Sequence, residues 1–176
     1  MKVTRILLAN VPDSLTAICA TMGFVRADIW RRFGALGNVG KNANSIRSEI
    51  SASNLYSALP VDGTIRAETT KDVVNDILTY KAATMLKVRQ AVAARTKDNA
   101  QRKRLFTLLK TDRWQSDNFL HRQVRKHFRH GVSHTANQFI VRSDKHSSTV
   151  VDGKLVITIR IASKYGSDIR LVTSSS

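Results

Sequence analysis

The hydrophobic period of this chain turns from helical to alternating after Gly131, and that change limits the folds open to it. From Ser14 to Gly131 apolar residues recur at three- and four-residue spacing, as on a helix with one buried face; after it they alternate, as on a strand. Ile18, Met22, Val25, Ile29 and Phe33 make one helical stripe over 14–36. Ser14 is placed to cap that helix, and Gly34 or Gly37 to end it. A loop rich in glycine and asparagine follows at 38–44, a second helix at 45–59 stops before Pro60, and Asp62-Gly63 turns the chain. The helix expected at 69–95 is about 40 Å long at 1.5 Å per residue. Its apolar face holds Val74, Ile77, Leu78, Met85, Val88 and Val92. Helices at 98–110 and 112–130 complete the run, the last with Leu120, Val124 and Phe128 at i, i+4, i+8.

Beyond Gly131, residues 138–142, 149–151, 155–161 and 169–173 read as strands, and Asp152-Gly153 as the two-residue turn of a hairpin. Residues 2–8 read as one more strand, closed by Pro12. A lone strand is not stable, so this opening strand is expected to pair with those at the other end. The expected class is α+β: a small antiparallel sheet or barrel from 1–12 and 132–176, interrupted after its first strand by a helical lobe at 13–131.

Charge narrows the function. The chain carries 29 Lys and Arg against 13 Asp and Glu, a net +16 over 176 residues. Residues 81–130 alone hold fourteen of those cations and only Asp98, Asp112 and Asp117 in return, which concentrates eleven of the sixteen net charges there. Such a surface attracts phosphate backbones, and counterion release makes the binding steeply salt-dependent. On the last helix Arg122, Arg125, Lys126 and Arg129 form a stripe apart from the apolar one. The candidate nucleic-acid contacts are Arg102, Lys103, Arg104, Arg113, Trp114, His121, Arg122, Arg125, Lys126, Arg129, His130 and Arg142. A face kept basic for solubility is the plainer alternative, and the regional imbalance argues against it.

Other chemistry finds little support. Among the aromatics weighed for base stacking, Tyr56, Tyr80, Phe139 and especially Trp30 fit a core better, whereas Trp114, between Arg113 and Gln115, suits either role. His121, His127, His130, His134 and His146 cluster without the further ligands a zinc site needs, so no metal is expected. No glycine-rich phosphate loop is present, and no cofactor is expected. Asp144, Asp152 and Asp168 each sit where a turn accounts for them, so no catalytic residue is assigned. One cysteine, Cys19, rules out an internal disulfide; with no apolar run long enough to span a bilayer, the expected setting is cytoplasmic with no membrane partner.

The segment Phe128-Arg129-His130-Gly131-Val132-Ser133-His134-Thr135-Ala136-Asn137-Gln138-Phe139-Ile140-Val141-Arg142-Ser143, preceded by Trp114 and by Phe119-Leu120-His121-Arg122-Gln123, resembles the N-terminal half of transposon-encoded TnpB proteins and the compact type V CRISPR effector nucleases. Ile29-Trp30-Arg31-Arg32-Phe33-Gly34 and Asp72-Val73-Val74-Asn75-Asp76-Ile77 fit the same likeness. The resemblance implies an oligonucleotide-binding-type wedge barrel interrupted by a helical recognition lobe. It also implies that the basic helix lines a channel for guide RNA, RNA–DNA heteroduplex and flanking target DNA. Base pairing then reads sequence while the protein holds shape and backbone. The family's RuvC-like nuclease domain, with its three acids and Mg²⁺, has no counterpart in these residues. The implied role is therefore binding rather than cutting, with a nuclease half of the same or a split protein as partner. The competing expectations are a stand-alone DNA- or RNA-binding regulator or ribosome-associated protein, and a nuclease of unrecognised site.

Overall fold

The computed structural model describes residues 11–38, 41–128, 138–161 and 168–172. Five helices precede three strands: α1 (Asp13–Phe33), α2 (Ala43–Ala52), α3 (Gly63–Arg95), α4 (Asn99–Lys110), α5 (Asn118–His127), β1 (His146–Val151), β2 (Lys154–Ile159) and β3 (Ile169–Val172). The chain divides into two compact units. One comprises Met1–Arg26, Asn54–Lys71 and His134–Ser176; the other comprises Ala27–Ser53 and Asp72–Ser133. Helical residues 13–26 and 63–71 thus group with the strands, and the division falls inside α1 and α3.

The α+β class holds, but no closed barrel is formed among the described strands. The described strands form an open antiparallel sheet of order β1-β2-β3. Asp152 and Gly153 make the expected two-residue turn, with φ of 52° and 72°, the left-handed pair that matches the twist of a hairpin. Register places Ile157 opposite Leu171 and Ile159 opposite Ile169 on one face. Ile159, Ile169 and Leu171 are buried there, while β1 is exposed along its length. Residues 138–142 pair with no strand among the described residues; Arg142 leads instead into a single helical turn at Ser143–Lys145. Extended propensity without a partner to pair with does not make a strand. The opening strand expected at 2–8 lies outside the described residues.

The helix boundaries moved for local reasons. α1 begins at Asp13, directly after Pro12, so Ser14 lies within its first turn instead of capping it. All five residues of its apolar stripe are buried. α2 is capped by Asn42, whose side chain accepts from the Ser45 amide at 2.9 Å. It stops seven residues early because Asn54 and Tyr56 adopt φ of 48° and 68°, which no helix accommodates. Asp62 is a cap and not a turn: its carboxylate accepts from the Thr64 amide at 2.8 Å, starting α3 six residues before the expected position. The single helix expected over 112–130 is interrupted, since Asp112 takes φ of 58° and a short helical turn, Trp114–Ser116, precedes α5.

The core of the second unit is built where α3, α4 and α5 meet. Val88, Val92, Leu105, Leu109, Trp114, Leu120, Val124 and Phe128 are buried together there. Tyr80 sits between Trp30 and Phe128 at centroid distances of 5.7 and 5.4 Å.

Candidate nucleic-acid interface

Two stripes on α5 have opposite fates. Leu120 and Val124 are fully buried and Phe128 nearly so, whereas Arg122, Arg125 and Lys126 are exposed. At about 100° per residue, those three cations occupy one sector of roughly 100° on the side away from the core. The Asp117 carboxylate fixes the helix start by accepting from the Phe119 and Leu120 amides at 3.0 and 3.1 Å. Arg125, Lys126 and His127 lie in the last turn, where they also complement the negative end of the helix dipole.

The cations of three helices converge beside the start of α5. Arg95 at the end of α3, Arg104 of α4 and Arg122 of α5 line one polar cavity of about 330 Å³. The Arg95 guanidinium lies 4.3 Å from the centre of the Phe119 ring, and Arg104 reaches Asp117 at 3.6 Å. Asp117 is the sole carboxylate among the described residues of this cavity, and its other oxygen already caps α5. Three guanidinium groups beside one engaged carboxylate leave net positive charge able to take a phosphate oxygen.

The remaining candidates divide. Lys103 and Arg113 are exposed on the same unit. Arg102 is a staple as well as a cation: it donates to the Thr96 carbonyl at 2.7 Å and the Ala93 carbonyl at 3.0 Å, tying the end of α3 to the start of α4. Trp114 is only 2% exposed, so it is a core residue and does not present its ring to a base. Its indole nitrogen donates to Asp112 at 2.8 Å, and His121 stacks on the ring at 5.9 Å and 12°. His121 is half-buried by that stacking. Arg142 belongs to the other unit, where it is exposed and paired with Asp144 at 3.1 Å. Arg129 and His130 lie outside the described residues.

Lys81 leaves the basic surface altogether. It is buried, donating to the carbonyls of Asn38 and Lys41, and burial pulls its ammonium below the ordinary 10.5. Asp112 opposes that shift and Lys41 adds to it. The other acids have structural partners: Asp152 forms the hairpin turn and Asp168 accepts from the Ile161 amide at 3.1 Å. Cys19 is a half-buried free thiol that burial raises above its ordinary 9.0.

Sequence reasoning missed Arg95 and Phe106 as surface-forming residues. Arg95 enters the sequence reading only within the regional charge, and because α3 ends there and α4 begins at Asn99, no helical spacing ties it to Arg104 or Arg122. Phe106 is not among the aromatics weighed for stacking, although Lys103 and Lys110 flank it at helical spacing. Among the described residues no helix is long and apolar enough to cross a membrane, and no three His, Cys, Asp or Glu side chains gather as metal ligands would. Comparison with protein-family models, curated proteins and solved structures finds no match to this chain.

Proposed function

We propose that the chain binds nucleic acid through the cationic side of its α3–α4–α5 unit. The observation that carries this reading is the convergence of Arg95, Arg104 and Arg122, from three separate helices, on one cavity next to the exposed Arg122, Arg125 and Lys126 stripe. Holding like charges together is unfavourable in the free protein and becomes favourable when a polyanion is bound. A uniformly solubilised surface has no reason to gather guanidinium groups.

Taken with the resemblance to TnpB and compact type V effectors, the ligands proposed are guide RNA and its RNA–DNA heteroduplex with flanking target DNA. The chain supplies the grip, and cleavage is assigned to a separate nuclease portion. Backbone contacts of this kind fix register and orientation without reading bases. The test compares a labelled RNA–DNA hybrid, the matching duplex DNA and a structured RNA against the wild-type chain and an Arg95→Ala, Arg104→Ala, Arg122→Ala variant. The variant is expected to lose at least tenfold in affinity for all three, with melting behaviour close to wild type. Affinity unchanged in the variant would rule out the cavity as a contact. Tight binding confined to duplex DNA would favour a stand-alone DNA-binding protein.

A further inference from the structure

A second cavity, between α3 and α4, has a different lining. Arg89 of α3 and Lys103, Phe106 and Lys110 of α4, with Asn99 and Arg102, line an open groove of about 510 Å³. No carboxylate lines it among the described residues. Lys103, Phe106 and Lys110 stand at i, i+3 and i+7 and therefore share one side of α4. Phe106 is half-buried, packed against the core formed by α3, α4 and α5, and it also contributes to the cavity wall. A ring seated in this way loses little further freedom when something stacks on it. Arg102 is held by two backbone carbonyls, which fixes the α3–α4 junction that shapes the cavity.

We propose that this cavity receives one unpaired nucleotide, its base stacked on Phe106 and its phosphates met by Arg89, Lys103 and Lys110. The inference rests on the nucleic-acid reading above and names single-stranded nucleic acid as the ligand class at this place. The volume lies within the roughly 300–1,000 Å³ of small-ligand sites, and the open side leaves room for the strand to continue past the nucleotide. An acidic peptide satisfies the cations but not the ring, and an apolar ligand satisfies the ring but not the cations. A base inside a duplex already has both faces stacked, whereas an unpaired base offers a free face to an aromatic side chain.

The experiment measures binding of a short oligouridylate carrying one 2-aminopurine, and of an RNA–DNA hybrid, to the full chain. Phe106→Leu keeps an apolar side chain against the core and removes the aromatic face; Phe106→Trp keeps the face. Phe106→Leu is expected to weaken single-strand binding by about 5- to 150-fold, the equivalent of one lost base–aromatic stack, and to leave hybrid binding unchanged. The 2-aminopurine should be quenched by the wild-type chain and by Phe106→Trp, and stay bright with Phe106→Leu. Lys103→Gln with Lys110→Gln, both exposed, should lower the single-strand salt slope by about 1.4 without altering the melting temperature. Single-strand affinity of Phe106→Leu equal to wild type, equal losses on single strand and hybrid, or equal displacement of the oligonucleotide by an oligoglutamate peptide from both proteins would each overturn the proposal. A wild-type chain that binds neither ligand would remove the broader nucleic-acid reading as well; hybrid binding with an indifferent Phe106→Leu removes only this one.

Discussion

At the scale of single residues, α5 separates stability from binding. Leu120 has no exposed surface and Phe128 little, so Leu120→Ala or Phe128→Ala should each cost about 2–5 kcal/mol of stability, measured by denaturant unfolding. Full stability in both would mean that the helix is rotated from the orientation described. Asp62 offers a test by pH. Burial pushes its carboxyl upward, but the hydrogen bonds from Thr64, the charge of Lys145 and the Ile65 amide outweigh that and hold it below its ordinary 3.8. A carboxylate with a lowered folded-state value stabilises the fold above 3.8 and loses that contribution as pH falls through the folded value. Asp62→Asn keeps an N-cap oxygen but no charge. Wild type should therefore melt above the variant at neutral pH, with the gap closing below about pH 4; a constant gap across that range would show that charge is not involved.

At the scale of elements, Gly34 follows α1 directly and lies close to Trp30. A Cβ on Gly34 would stand 2.6 Å from the Trp30 carbonyl oxygen and 2.7 Å from its indole ring, too close for either neighbour to stay in place. Gly34→Ala should lower stability by roughly 1–3 kcal/mol, as forced overpacking does, and thermal melting reads it directly. The end of α1 was legible from that glycine, as were the buried faces of α1 and α5, because apolar residues at helical spacing have one way to be covered. The hairpin turn was legible too, since Asp-Gly supplies the two left-handed residues it requires. Other boundaries were hidden. Left-handed Asn54, Tyr56 and Asp112 carry no signal as strong as glycine or proline, and Asp62 serves equally well in a turn or at a cap. Trp114 could be assigned to neither surface nor core from its basic neighbours, because its burial depends on helices distant in sequence.

At the scale of the whole chain, the net charge of +16 indicated a polyanionic partner but not where it would sit. Lys81, counted in the basic segment, is buried, while Arg95, Arg104 and Arg122 are gathered by packing that spacing does not reveal. The expected barrel finds no support among the described strands: alternation identifies strands, but closure depends on strand number and register, and those strands form an open sheet. What survives is a division of labour within the α3–α4–α5 unit, a hydrophobic interior faced by cations that have few acids nearby. The most direct test is the slope of log affinity against log salt for a structured RNA, compared between wild type and Arg122→Ala, Arg125→Ala, Lys126→Ala. If those three side chains neutralise phosphates, the variant should bind more weakly and its slope should be shallower by about 2–3. Parallel lines for the two proteins would show that the α5 stripe does not meet the nucleic acid.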